Sequence, residues 1–144
     1  MPKMLDMIQA VLRGEATVPV ADLVGFRLLS AADGQAVWEL PAGPQHANPM
    51  GTLHGGILCD IADAAMGMAL ASQLGEGESF TTLELKINFL RPFWTGRLRA
   101  VGRVVRPGRL ISLVECDVLD EQERLVARAS STCMTLRGEQ ATGR

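Results

Sequence analysis

The feature that most constrains the fold is an apolar run, residues 57–74, that contains no proline. Its length and composition favour a helix of about 30 Å, and Gly75 behind it is a typical helix stop. Four polar residues interrupt the apolar surface: Asp60, Asp63, Ser72 and Gln73. Because the other positions are apolar nearly all round, we expect this helix to be buried on most sides. A buried carboxylate is costly unless it is paired or used.

Two glycines, Gly55 and Gly56, stand where the first turn of this helix begins. The first amides of a helix have no partner within it, and the helix dipole is positive there. Glycine lets a ligand approach those amides closely, which favours a site for a developing negative oxygen. Asp63 follows about two turns later. An oxyanion site and a carboxylate on one buried helix indicate acyl-transfer chemistry.

The rest of the chain predicts two strands before this helix and four after it. We expect an amphipathic helix over residues 3–13, and an Asp33-Gly34 turn between the first two strands. The strands are expected at residues 24–30, 35–40, 79–90, 97–105, 110–119 and 124–136. Antiparallel strands with one buried helix, in a single domain over residues 1–144, indicate an α+β fold.

The spacing around the glycines carries a family resemblance. Asn48 lies six residues before His54, and Asp63 lies nine residues after it. Together with the segments 81–92 and 125–129, this ordered set resembles the hotdog-fold acyl-CoA thioesterases, closest to the PaaI-like (phenylacetate-pathway) branch. The resemblance covers about residues 20–137. It implies a hotdog fold, in which the antiparallel sheet wraps around the long helix, and a homo-oligomer that is a dimer or a dimer of dimers.

The catalytic roles follow from the residues and from this resemblance. Asp63 is the expected catalytic carboxylate, and an apolar surround should raise its pKa. The resemblance leaves open whether it activates water or attacks the thioester. The Gly55 amide is the expected oxyanion donor. His54 is expected to cap the helix or contact the thioester, and the resemblance implies that Asn48 orients the water or the thioester.

One strand residue completes the expected site. Uninterrupted alternation from Thr81 to Phe89 places Thr81 on the inward face and Thr82 on the opposite one. In the family, a serine or threonine near the start of this strand, contributed by the partner subunit, helps to hold the water. The resemblance therefore points to Thr81, and Thr82 is the weaker candidate.

The substrate implied by the resemblance is an acyl-CoA. Arginine suits phosphate geometry, so Arg91, Arg106 and Arg109 are the candidates for binding the coenzyme A phosphates. Gly56 is expected to let the substrate approach the first turn. Methionine is adaptable, and Met50 is expected in an acyl pocket with Met66, Met68 and Leu70 that suits an aryl or medium-chain acyl group.

Composition excludes several other classes. A net charge of −2 and a pI near 5.7 argue against a nucleic-acid surface. Two histidines and three cysteines without ligand spacing argue against a metal site, and we expect no cofactor. The absence of a signal peptide or spanning run, with reduced thiols, predicts a cytoplasmic protein without membrane contact. Two alternatives stay open: a hotdog enoyl-CoA hydratase, and a non-catalytic acyl-CoA-binding protein.

Overall fold

The computed structural model describes residues 3–143, and it begins with two helices. Helix α1 (Met4–Leu12) is amphipathic and buries Ile8 in the core, as predicted. The second, α2 (Pro19–Val24), was not predicted. It starts with proline at its first position and ends at Gly25, whose φ of 101° is left-handed. The first strand therefore begins later than expected, at Arg27, because α2 occupies the residues before it.

Six strands form one antiparallel sheet. They are β1 (Arg27–Ala32), β2 (Gln35–Ala42), β3 (Glu78–Phe89), β4 (Gly96–Arg106), β5 (Ile111–Leu119) and β6 (Leu125–Arg137). Their order across the sheet is β1-β2-β4-β5-β6-β3, so that β1 and β3 are the edges. Positive φ angles at Asp33 and Gly34 confirm the predicted turn between β1 and β2. Short 3₁₀ turns lie at Pro44–His46 and Gly138–Ala141.

Helix α3 (Gly55–Ala71) lies between β2 and β3 in the chain and packs on this sheet. Residues on its inner side are fully buried, among them Ala62, Ala65 and Ala69. The α+β hotdog architecture is confirmed, with the long helix starting at the two glycines as expected. It ends at Ala71, three residues short of the predicted end.

Small residues let α3 approach the sheet closely. Across four neighbouring strands they stand in register beneath the helix: Ala36, Gly102, Cys116 and Ala129. At Gly102 a Cβ atom would lie 2.4 Å from the carbonyl oxygen of Ala65, inside any permitted contact. The helix backbone therefore rests on the β4 backbone, and the absence of a side chain at residue 102 fixes how deeply the helix sits.

A bulge in β3 changes which side chains face the helix. The register with β6 shifts between Thr82 and Glu84. Before the bulge Phe80 and Thr82 point towards α3, and after it Phe89 does. Because period-two alternation is broken there, the prediction that Thr81 faces inward and Thr82 away is wrong.

Candidate active site

The helix N-terminus leaves one backbone donor unused. The Gly56 amide donates to Nδ1 of His54 at 2.9 Å, and the Ile57 amide donates to the carbonyl of His54. The expected capping role of His54 is therefore confirmed. Within residues 3–143 no acceptor pairs with the Gly55 amide. Of the two glycine amides expected to meet a substrate, only that of Gly55 is available, because that of Gly56 is occupied.

The loop before the helix is held by Asn48. Its Oδ1 accepts hydrogen bonds from the amides of Met50 and Thr52, at 3.0 and 3.1 Å, and its Nδ2 donates to Thr52 Oγ1 at 2.7 Å. An amide group carries two N–H donors, so one N–H of Asn48 is still available. In this structure the side chain shapes the loop beside Gly55.

Gly55 opens into a cleft of about 400 Å³. The cleft is lined by Asn48, Thr52, Leu53, Gly55, Leu58, Phe89, Leu90, Arg91, Pro92 and Phe93. It thus combines the free amide, the Asn48 side chain and one of the three predicted phosphate-binding arginines. Thr52 and Phe93 were not anticipated, since only the folded loops bring them to Gly55.

Asp63 lies in a different cleft, of about 200 Å³. That cleft is lined by Val18, Val20, Phe26, Trp38, Asp60, Asp63, Ala64, Gly67, Met68 and Phe80. The side chain of Asp63 is exposed, and its Oδ1 accepts a hydrogen bond from Thr82 Oγ1 at 3.0 Å. The expectation that an apolar surround buries Asp63 is therefore not met within one chain, because its side chain is exposed although the cleft beside it is lined mostly by apolar residues. The residue that contacts it, Thr82, carries no local signal in the sequence, because the bulge that orients it arises from strand pairing.

Gly55 and Asp63 do not converge within one chain. They are eight residues apart on α3, which corresponds to about 12 Å along the helix axis. A carbonyl carbon in contact with the amide would be far beyond hydrogen-bond or bonding distance of the carboxylate. The oxyanion site and the carboxylate expected on this one helix therefore cannot act together on a thioester within a single chain.

The surroundings of Asp63 raise the pKa of neighbouring groups. Burial, and then the charge of Asp63, raise the pKa of Asp60 in the same cleft. Burial also raises the pKa of the thiols of Cys59 and Cys133, and Cys133 Sγ lies 3.8 Å from Thr82 Oγ1. Thiols held neutral are poor nucleophiles. The chemistry available at this cleft is therefore that of a carboxylate.

The predicted phosphate-binding arginines are divided between the two ends of the sheet. Arg91 lines the cleft of Gly55. Arg106 is the last residue of β4. Near this end of the strand the Val104 amide donates a hydrogen bond to the Gly34 carbonyl, and the Gly34 amide donates one to Ser72 Oγ, just after the end of α3. Arg106 and Arg109 thus lie near the helix C-terminus, and a single chain does not bring them to Gly55.

The predicted acyl pocket of methionines is not formed. Met50 is 79% exposed at the tip of its loop, whereas Met66 is fully buried in the core. Met68 lines the cleft of Asp63. Within residues 3–143 no three His, Cys, Asp or Glu side chains cluster to hold a metal ion. No helix of that range is both long and apolar enough to cross a membrane.

Comparison with known proteins decides the family. A model described as the thioesterase superfamily matches residues 50–127, more than half of the chain. The chain belongs to the thioesterase superfamily. Acyl-coenzyme A thioesterase 13 of Mus musculus is 25% identical over 136 residues, covering 92% of this chain and 96% of the relative.

Two solved structures are similar throughout. The phenylacetic acid degradation-related protein of Ralstonia eutropha JMP134 is 35% identical with a TM-score of 0.80, covering 88% of this chain and 97% of that one. The PaaI protein of E. coli is 26% identical with a TM-score of 0.83, covering 94% and 95%. The expected PaaI-like hotdog family and the expected thioester hydrolase are thereby confirmed.

Proposed function

We propose that this thioesterase hydrolyses an acyl-CoA to the free acid and coenzyme A. The observation that carries the proposal is the unpaired Gly55 amide at the N-terminus of α3, which opens into a cleft shared with Arg91. Such a donor stabilises the oxyanion of a thioester carbonyl, and the arginine suits a phosphate. The similarity to acyl-coenzyme A thioesterase 13 supports the same substrate class.

The chemistry divides between the amide and the carboxylate. The Gly55 N–H would bind the carbonyl oxygen, a contribution of about 3–4 kcal/mol to transition-state stabilisation. Asp63 would either take a proton from the attacking water or attack the carbonyl carbon itself. In both routes the C–S bond breaks, and the thiolate of coenzyme A receives a proton that comes from water. In the second route the acyl group is first carried by Asp63 as an anhydride, and water then hydrolyses that anhydride, which releases the free acid and restores the carboxylate. Thr82, hydrogen-bonded to Asp63, takes the role expected for Thr81.

A complete site needs two chains. Strand β3 runs antiparallel to α3, because Phe80 contacts Gly67 and Phe89 contacts Gly55. Edge strand β3 exposes Leu83 and Phe89, and no other strand within residues 3–143 pairs with its free side. Antiparallel pairing of two β3 edges would set the Phe89 half of one strand beside the Thr82 half of the other. Gly55 of one subunit would then face Asp63 of the partner subunit.

This arrangement makes a homodimer the smallest active unit, alone or within a dimer of dimers. It would also cover Asp63, whose side chain its own chain leaves exposed. The apolar cleft beside Asp63, with Phe26, Trp38 and Met68 in its lining, would take the acyl group. Its volume of about 200 Å³ suits an aryl or short aliphatic group. The three free cysteines are consistent with a cytoplasmic location.

Thiol release from phenylacetyl-, benzoyl- and medium-chain acyl-CoAs tests the activity. We expect Asp63→Ala to lower kcat at least 100-fold, while Asp22→Ala, which removes an exposed carboxylate on α2, leaves it unchanged. Thr82→Val should lower kcat, and Thr81→Val should not. Full activity of Asp63→Ala would refute the mechanism. Hydration of an enoyl-CoA without thiol release would indicate the hydratase, and binding without turnover the binding protein.

The Gly55 amide can be removed with little change to the helix. Proline is favoured at the first helical position, and His54 before it is already extended, with ψ of 133°. Gly55→Pro should therefore abolish most activity through the lost N–H. Gly55→Ala is the matched control, because it adds the same Cβ, which would lie 2.8 Å from the Phe89 ring, but keeps the amide. Equal activity of the two variants would contradict an oxyanion role.

The same variants test whether the site is shared. Mixing Gly55→Pro chains with Asp63→Ala chains forms dimers in which one of the two sites has both groups intact. We expect mixing and subunit exchange to restore activity that neither variant has alone. Activity that stays absent after verified exchange would show that each site lies within one chain.

A further inference from the structure

The loop between β3 and β4 carries an aromatic side chain that the fold does not use. The carbonyl of Phe93 accepts a hydrogen bond from the Leu53 amide at 2.8 Å, which holds the loop against the N-terminus of α3. The next residue, Trp94, is 58% exposed. The other tryptophan, Trp38, is 2% exposed and packs edge-to-face on Phe26 in the core. Trp94 therefore contributes little to the core.

Trp94 lines a cleft that adjoins the one at Gly55. This cleft, of about 280 Å³, lies between the loop and the turn from Asp120 to Arg124. Both clefts share Arg91, Pro92 and Phe93 in their linings. A flexible arm that starts at a thioester on the Gly55 amide can therefore pass Arg91 and reach Trp94 over a continuous surface.

Two arginines near Trp94, Arg91 and Arg124, have guanidinium groups that can contact a phosphate. Arg124 is held in place by the buried Asp120, with Nε donating to Oδ2 at 2.8 Å, while half of its side chain is exposed. Arg91 has no ion pair within residues 3–143. The nearby carboxylate of Glu121 accepts a hydrogen bond from the Arg97 amide at 3.1 Å. An exposed indole ring between two arginines suits a planar base that carries phosphates.

We propose that Trp94 is the stacking platform for the adenine of coenzyme A, with Arg91 and Arg124 beside its phosphates. The inference rests on the proposed acyl-CoA substrate and adds that the nucleotide half is recognised by this chain's own loop. Aromatic stacking on a base is tolerant of the base but needs an aromatic ring. Trp94 thereby favours nucleotide-bearing thioesters over thioesters of pantetheine alone.

Kinetics with two matched substrates test the role. For the best acyl-CoA, Trp94→Ala should raise KM by roughly 5- to 100-fold with kcat little changed, as the range of stacking energies predicts. For the acyl-pantetheine with the same acyl group, KM should not change. Trp94→Phe should recover most of the affinity, and Met7→Ala, which removes an exposed apolar side chain on α1, should behave as wild type. An equal rise in KM for both substrates, or no rise for either, would overturn the inference.

Fluorescence separates this inference from the proposed function. Stacking should quench the emission of the exposed Trp94, so coenzyme A should quench the wild type and not Trp94→Phe, while pantetheine should quench neither. Should no acyl-CoA be hydrolysed, the proposed function fails, but quenching by coenzyme A would still support the nucleotide site. Turnover of acyl-CoA without any quenching would refute the nucleotide site and leave the proposed function standing.

Discussion

Gly102→Ala adds a single methyl group where the backbone of α3 touches β4. The new Cβ would lie 2.4 Å from the Ala65 carbonyl oxygen and 2.9 Å from the Met66 amide nitrogen. Both are backbone atoms in the middle of a helix, so no side-chain rotation can relieve the contact. Ordinary contact begins near 3.4 Å, and the helix must therefore move away from the sheet by about 1 Å. Overpacking of this kind costs about 1–3 kcal/mol, and we expect the upper end of that range.

Thermal unfolding provides the assay. A loss of about 3 kcal/mol should lower Tm by roughly 10 °C in a chain of this size. Gly75→Ala is the control, because its Cβ would meet only the flexible end of Glu78, at 3.2 Å. The displaced helix also carries the Gly55 amide and Asp63, and a 1 Å error in placement can cost about 100-fold in rate. If the Tm of Gly102→Ala equals that of the wild type, the claim that residue 102 sets the helix position is refuted.

The other predictions concern charge and burial. The ion pair with Arg128 holds the pKa of Asp117 below its usual range, so its stabilisation is present above about pH 4 and is lost as pH falls through the lowered pKa. In acid titrations followed by circular dichroism, Asp117→Asn should therefore lose less stability below pH 4 than the wild type does. His46 is buried and bonds a loop amide and a carbonyl of α2, so His46→Leu should lower the free energy of unfolding in urea by about 1–3 kcal/mol. Burial, followed by nearby carboxylates that include Asp63, raises the pKa of Cys59, so Asp63→Asn should speed its alkylation at pH 8; an unchanged rate would contradict that coupling.

Local patterns were sufficient for most elements of the fold. The Asp33-Gly34 pair predicts a hairpin turn because the turn needs two positive φ angles, and the structure has them there. The long helix begins at the predicted glycines, since unpaired amides and capping are decided within one turn. Helix α2 was missed because six residues with proline at the start carry too short a pattern to distinguish from a strand.

The site was harder to predict, because its geometry depends on distant pairings. Thr81 and Thr82 are chemically the same, and only the bulge against β6 decides that Thr82 meets Asp63. Arg91 lies near Gly55 because the loop between β3 and β4 is hydrogen-bonded to Leu53, a contact between segments that are distant in the sequence. Nothing in the sequence around Arg106 shows that it lies at the opposite end of the sheet from Gly55.

The sequence by itself determined the kinds of element, their order, the helix that starts with a free amide and the family that shares this pattern. These depend on the conformational preferences of neighbouring residues, which are present in the chain whether or not remote segments are in contact. The tertiary structure alone decided which threonine faces Asp63, and that Gly55 and Asp63 open into separate clefts. Those outcomes depend on strand register and on a fixed distance along a rigid helix, which arise only when remote segments pack together.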